Sequence, residues 1–124
     1  MKKAFTLIEL LIYMALVGLF LVVLTNMLAT ILETQAESTA ASLVDIDGRY
    51  ILARLAYDAN TAVLNPGAYT VVDGNLWTSS VRLNSYDSTV SGWSVIRVDD
   101  TARVTFTVSS GDRSRMFSTA VGLR

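Results

Sequence analysis

An apolar stretch near the start of the chain, Phe5 to Leu32, constrains the fold more than any other feature. It is long enough to cross a bilayer as one helix, because about 20 residues at about 1.5 Å rise per residue cover the hydrocarbon core. A short basic leader, residues 1–4, precedes it and contains both lysines of the chain. We therefore predict a leader at 1–4, a transmembrane helix at 5–32, and one small domain built from the roughly 90 residues that remain.

The charges on either side of the apolar stretch predict its orientation. Lys2 and Lys3 precede it, whereas Glu33 and Glu37 follow it. Because cytoplasmic flanks are enriched in Lys and Arg, we expect a single-pass protein with a cytoplasmic N-terminus and an extracytoplasmic head. A secretory signal cut after Ala40 is the alternative, but such a signal has an apolar region of about 7–15 residues, which is shorter than this one.

Glu9 is a carboxylate inside the apolar stretch, and the residues alone leave two interpretations open. In one, Glu9 lies close enough to the cytoplasmic boundary to be tolerated there. In the other, it is kept for a partner, because ionisable residues within membranes usually pair and usually have a function. A cut before Phe5 would create an α-amine, and the amine of a staggered neighbouring chain would be a suitable partner.

The sequence Lys3-Ala4 followed by Phe5-Thr6-Leu7-Ile8-Glu9 and a long apolar run resembles the prepilin processing site of type IV pilins and pseudopilins. The resemblance implies that a prepilin peptidase cuts between Ala4 and Phe5 and that the new N-terminal Phe5 is methylated. It implies that Glu9 recognises a neighbour's amine during filament assembly. It also implies further partners: other pilin subunits and, indirectly, an assembly platform and its ATPase, with a surface filament as the product.

Ala4 stands where the family usually has Gly, a departure that bears on processing. Differences from major pilins favour a minor pilin or a pseudopilin: Asn26 stands where major pilins commonly have a helix-kinking Pro. The chain also has no cysteine for the disulfide found in many major pilins.

Residues 33–64 are polar overall but keep a helical period, which predicts an amphipathic continuation of the anchor helix. Gly48 is expected to be a bend or a close-packing point, and Asn65-Pro66-Gly67 supplies a stop signal. The predicted apolar stripe comprises Leu43, Ile46, Tyr50, Ala53 and Tyr57, with Val44, Ile51, Leu55 and Ala62 beside it.

Residues 65–124 change to the period of two that is typical of strands, separated by turn-forming residues. With no helices left for parallel crossovers, we expect hairpins. The predicted fold is therefore α+β, a long helix and a β-rich head with an antiparallel sheet of about 4–5 strands. The strand-like runs are Tyr69–Val72, Leu76–Leu83, Trp93–Val98, Ala102–Val108 and Arg115–Leu123.

The composition argues against enzymatic chemistry. The chain contains neither cysteine nor histidine, so it lacks the commonest general base and the softer metal ligands. We expect no catalytic residue, cofactor or metal, and we interpret Asp99-Asp100 as a turn in preference to a calcium site. The eight arginines are scattered among eleven acids, so the basic stripe of a nucleic-acid-binding protein is not visible.

The sequence therefore leaves two functions open. The first is a structural subunit of a type IV pilus-like or of a type II secretion- or competence-like filament. The second is a membrane-tethered surface binding or adhesion protein that does not polymerise. The second would use an exposed aromatic patch, for which the candidates are Tyr69, Trp77, Tyr86 and Trp93; in small sheets such residues are more often core or cross-strand pairs.

Overall fold

The computed structural model describes residues 4–61 and 65–123. It contains one long helix, α1 (Leu7–Thr61), a short 3₁₀ turn at Pro66–Ala68, and six strands in the described part of the head. The chain divides into two compact units, with the boundary between Ala36 and Glu37. The strands are β1 (Tyr69–Val72), β2 (Asn75–Thr78), β3 (Val81–Arg82), β4 (Thr89–Val98), β5 (Thr101–Ser110) and β6 (Arg113–Gly122).

The first unit is the apolar part of α1, whose large side chains are exposed on every side. The helix is long and apolar enough to cross a membrane. Thr25 donates a hydrogen bond to the Leu21 carbonyl at 2.8 Å, and Thr30 donates to the Asn26 carbonyl at 3.0 Å. These hydroxyls are therefore satisfied within the helix, as a lipid environment requires.

The second unit begins with the polar part of α1, which turns one narrow face to the head. Its buried residues are Val44, Asp47, Gly48, Ile51 and Leu55. The structure buries three residues predicted beside the stripe, Val44, Ile51 and Leu55, whereas the stripe residues Ile46 and Tyr57 are 62% and 60% exposed. The reason is that the buried face includes an aspartate and a glycine, which a count of apolar residues passes over. The end of the helix predicted at residue 64 lies outside the described residues.

The head confirms the α+β class, but its strands form two antiparallel sheets of three strands, β1-β2-β3 and β4-β5-β6. The described residues thus differ from the predicted single sheet of about 4–5 strands by having two sheets and six strands, and the additional strand arises because the run Leu76–Leu83 is not one strand. Ser79 and Ser80 have positive φ angles of 46° and 69°, and they turn the chain between β2 and β3. This turn lets Trp77 pair with Arg82.

Strand β4 is longer than the predicted run Trp93–Val98, because it begins at Thr89 and includes Ser91-Gly92, which are turn-forming residue types. The register of β4 against β5 shifts between Ser91 and Ser94, and Gly92 has a φ angle of 63°. A bulge with glycine in the left-handed region accommodates the extra residue without ending the strand. Asp99-Asp100 does form a turn, connecting Val98 of β4 to Thr101 of β5.

The core is built on β5, whose alternation of buried and exposed residues confirms the predicted period of two. Ala102, Val104, Phe106 and Val108 are at most 1% exposed. Phe106 stacks on Phe117 of β6 with ring centroids 5.5 Å apart. Residues of α1, β2 and β4 complete this core: Val44, Ile51, Leu55, Leu76 and Val90.

Candidate functional site

The N-terminus of α1 is built by a capping sequence, Thr6-Leu7-Ile8-Glu9. Thr6 precedes the first helical residue, Leu7, and its hydroxyl accepts a hydrogen bond from the Glu9 backbone N–H at 3.4 Å. The Thr6 carbonyl also accepts from the backbone N–H of Leu10 at 3.2 Å. A Thr at the N-cap with a Glu three residues later is the sequence signature of a capping box. The helix therefore begins at this point because of Thr6.

The residues before the cap are non-helical and exposed, and they include both residues of the predicted processing site. Ala4, Phe5 and Thr6 have no helical structure, and the Phe5 side chain is 72% exposed. The Ala4–Phe5 bond is therefore accessible on the surface of the subunit.

Glu9 lies in the first turn of α1 and is exposed. A carboxylate there interacts favourably with the positive end of the helix dipole. The Glu9 Oε1 atom lies 3.5 Å from the hydroxyl of Tyr13, one turn further along the helix. The Tyr13 ring also meets the Phe5 ring edge to face, with centroids 6.0 Å apart. Phe5, Glu9 and Tyr13 thus form one continuous group at spacings of four residues.

This group can bind a cation brought by another molecule, because it presents an exposed carboxylate beside an aromatic ring. Sequence reasoning identified Phe5 and Glu9 but missed Tyr13. The spacing of four between Glu9 and Tyr13 is the signal that could have found it, since such residues are neighbours on a helix surface.

The aromatic residues of the head do not form the single exposed patch that a binding module would need. Tyr69 is 5% exposed and stacks on Trp93 with centroids 5.5 Å apart. Tyr86 is 92% exposed, but its neighbour is the Arg82 guanidinium, 4.5 Å from the ring centroid. The candidates are therefore divided between the core and separate surface positions.

Tyr69 also takes part in a polar contact between β1 and α1. Its hydroxyl donates to Asp58, which pairs with Arg54 at 3.3 Å. Burial, with the hydrogen bond to Asp58, raises the pKa of Tyr69 well above its usual range. The neutral hydroxyl is thus the stable form, as a structural donor requires.

A second polar cluster, centred on Asp47, was not foreseen from the sequence. Asp47 Oδ2 accepts from the Ser85 backbone N–H and Oδ1 accepts from the Ser85 hydroxyl, both at 2.8 Å. The Ser88 hydroxyl also donates to Oδ2. Buried Asn84 joins the same loop to β2, because its Oδ1 accepts from the Leu76 backbone N–H at 2.9 Å. The donors are satisfied, so this cluster holds the loop 83–88 against α1.

Metal binding finds no support in the part of the chain that the structure describes: it holds no group of three or more Asp or Glu side chains placed to bind an ion. The outer face of β4-β5-β6 has a shallow hollow of about 350 Å³. Ile96, Val98, Arg103 and Ala120 are among its lining residues. Asp99 and Thr101 also line it, so the hollow combines aliphatic side chains with one carboxylate, one hydroxyl and one guanidinium.

Comparison with known proteins bears on the N-terminal group. Residues 1–25 match the family model of the prokaryotic N-terminal methylation motif. No curated protein and no solved structure shows significant similarity to the chain. The matched segment contains the leader, Ala4, Phe5, the cap and Glu9. Together with the long apolar helix, it supports membrane anchoring and implies processing by a prepilin peptidase. Residues 1–25 of this chain therefore match a prepilin-type methylation motif.

Proposed function

We propose that this protein is a minor pilin or pseudopilin, a structural subunit of a type IV pilus-like or of a type II secretion- or competence-like filament. The observation that carries the proposal is the methylation motif at residues 1–25, joined to an apolar helix whose first turn presents Glu9. A protein of this kind works by packing and recognition, so it needs neither a catalytic centre nor a cofactor.

Processing takes place between Ala4 and Phe5 and leaves Phe5 as a methylated N-terminal residue. The exposure of Ala4 and Phe5 ahead of the helix supports this step. Alanine is small, as the residue before the cut must be, although the family usually has glycine there.

Before assembly the subunit resides in the cell membrane as a single-pass protein with its N-terminus in the cytoplasm and its head outside. The support is the charge asymmetry, because the lysines precede the apolar helix and Glu33 and Glu37 follow it. An assembly platform driven by an ATPase then moves the subunit into a surface filament among other pilin subunits.

Assembly uses an ion pair between the Glu9 carboxylate of one subunit and the Phe5 amine of its neighbour. Charged partners attract strongly where water is excluded, and an intramembrane carboxylate is costly until it is paired. The exposure of Glu9 on the helix surface supports recognition of a group on another chain.

The non-polymerising adhesin gains no support from the head, because the aromatic residues on which it depends are divided between the core and isolated positions. The filament subunit is therefore the one function that we propose.

Mass spectrometry of the N-terminus in sheared filaments tests the proposal. We expect the assembled chain to begin at methylated Phe5, because the peptidase removes residues 1–4 before assembly. Ala4→Leu, which places a bulky residue before the cut, should leave the chain full-length and in the membrane fraction. Ala15→Leu, a matched change beyond the cut, should be processed normally. Filaments containing chains that still begin at Met1 would refute the proposal.

A further inference from the structure

We propose that Tyr13 is a positioning residue for Glu9: its hydroxyl holds one oxygen of the carboxylate so that the other is aimed at the amine of an incoming subunit. The role in assembly rests on the proposed function. The contact within the chain does not, since it belongs to the single subunit.

The geometry that carries the inference is a row of three side chains at the N-terminal end of α1, of which Phe5 precedes the helix and Glu9 and Tyr13 belong to it. The Tyr13 hydroxyl lies 3.5 Å from Glu9 Oε1, and the Tyr13 ring meets the Phe5 ring at 6.0 Å between centroids and 68° between planes. The usual distance for such a hydrogen bond is about 2.7–2.8 Å, so the two oxygens must approach by about 0.7–0.8 Å to form one at full strength. Tyr13 thus touches both residues of the proposed intersubunit contact.

The chemistry of a hydroxyl in an apolar segment explains why Tyr13 needs Glu9. The hydroxyls of Thr25 and Thr30 donate to carbonyls of their own helix, which a short side chain reaches easily. A phenol hydroxyl is at the far end of a rigid ring, so it needs a side chain as its partner. The carboxylate one turn away supplies that acceptor in a medium where water does not.

The contact also benefits Glu9. An ionised carboxylate has two oxygens and about four acceptor positions, and Tyr13 occupies a position on Oε1 alone. The remaining oxygen stays available to an ammonium group. Because Tyr13 limits the rotation of the Glu9 side chain, the carboxylate loses less conformational freedom when the neighbour binds.

The first test observes the contact in the unassembled subunit. The full chain contains three glutamates. Labelling with glutamate that carries ¹³C at its side-chain carboxyl carbon, Cδ, therefore gives three NMR signals from the chain in phospholipid vesicles. The signal that is lost in Glu9→Gln is that of Glu9. We expect Tyr13→Phe to shift the Glu9 signal and leave those of Glu33 and Glu37 in place. Tyr50→Phe, which removes a hydroxyl elsewhere on the same helix, should shift none of the three by a comparable amount. An unchanged Glu9 signal in Tyr13→Phe would overturn the inference.

The second test measures the fraction of the subunit that enters filaments. We expect Tyr13→Phe to lower it about threefold, the effect of a typical polar side-chain contact between groups in a membrane. Adding Ile12→Tyr to Tyr13→Phe returns a hydroxyl three residues from Glu9, on the same face, and should restore incorporation. Adding Leu11→Tyr instead places it two residues from Glu9, on another face, and should restore nothing.

Glu9→Ala separates this inference from the function on which it rests. If Glu9→Ala blocks incorporation while Tyr13→Phe incorporates normally, the role of Tyr13 is wrong and the proposed function stands. If Glu9→Ala also incorporates normally, the Glu9 contact fails as the assembly contact and the role of Tyr13 in assembly fails with it.

Discussion

Asp47 shows how one buried carboxylate can organise a loop. It is 5% exposed, and both its oxygens accept hydrogen bonds from Ser85 and Ser88. Residues in the loop 83–88 are thereby tied to α1, which lies far from them in sequence. The charge is balanced by donors instead of by a cation, since the contacts come from one backbone N–H and two hydroxyls.

We predict that Asp47→Asn lowers the free energy of unfolding of the head by about 1–3 kcal/mol. The amide retains one acceptor oxygen and turns an NH₂ group toward serine donors, and hydrogen bonds to a charged group contribute about 1.5–3 kcal/mol. Chemical denaturation of the detergent-solubilised chain, followed by tryptophan fluorescence, measures the change.

Asp45→Asn is the matched control on the same helix. Asp45 pairs with Arg115 at 2.6 Å, but both side chains are substantially exposed, at 43% and 60%. Exposed ion pairs contribute about 0–1 kcal/mol, so this variant should lose little stability. Equal losses in the two variants would contradict the role given to Asp47.

At the scale of the elements, Gly48 determines how closely α1 approaches β6. A Cβ atom built on Gly48 would lie 2.1 Å from Phe117 Cζ, far inside any contact distance. Phe117 in turn stacks on Phe106 in the central strand. The Phe117 ring therefore occupies the space that a side chain at position 48 would fill.

Gly48→Ala is accordingly expected to destabilise the head, although alanine favours a helix over glycine by about 1 kcal/mol. Overpacking typically costs about 1–3 kcal/mol, and here the clash involves the body of a ring held from both sides. Thermal unfolding followed by circular dichroism should show a lower Tm for Gly48→Ala.

Ser42→Ala is the control for helix propensity, because Ser42 is exposed on the same helix and should gain slightly in stability. In the Gly48→Ala background, Phe117→Leu should cost less than it does alone, since the smaller side chain relieves the clash. A higher Tm for Gly48→Ala would show that helix propensity outweighs packing at this position.

Local patterns in the sequence predicted where the helix and the strands lie better than they predicted which residues pack against one another. The change from helical period to alternation, and the alternation of β5, depend on neighbouring residues and were predicted correctly. The buried face of α1 was predicted in part: Val44, Ile51, Leu55 and close packing at Gly48 were expected. The burial of Asp47 was not, because it depends on the distant Ser85. The turn at Ser79-Ser80 was missed because serine seldom adopts positive φ.

The candidate site shows the same division. Phe5 and Glu9 stand in a recognisable motif, so the sequence was enough to predict them as site residues. Tyr13 belongs to no part of that motif that was recognised, and its relevance depends on the positions of a hydroxyl and a ring. Such positions follow from side-chain rotamers, which a pattern of residue types does not specify.

At the scale of the whole molecule, the two units differ in how they are stabilised. The core residues all belong to the second unit, from Val44 to Val121. The large apolar side chains of the first unit are exposed and need lipid or other protein surfaces. The fold of the head therefore does not draw on the apolar segment.

A chain beginning at Glu37 should consequently fold by itself as a soluble monomer. It retains the helical face that carries Val44, Ile51 and Leu55, together with both sheets. We expect one cooperative unfolding transition and tryptophan emission equal to that of the full chain. Analytical ultracentrifugation and fluorescence measure these properties.

A chain beginning at Asn65 is the contrasting variant, since it keeps every strand and loses the helix. It should fail to fold, because the sheets would expose the side chains that α1 covers. Aggregation or non-cooperative unfolding of the Glu37 chain, or folding of the Asn65 chain, would contradict this division of the molecule.

The cap at Thr6 has a consequence for the peptidase. Proteases bind their substrates as extended chain, and a peptide bond inside a helix must be unwound before it can be cut. By starting the helix at Leu7, the cap leaves the bond between Ala4 and Phe5, the proposed cleavage site, outside it while the rest of the apolar segment stays helical. Cleavage under the proposed function thus requires no melting of the anchor, and the new N-terminus is created two residues from a helix that is already formed.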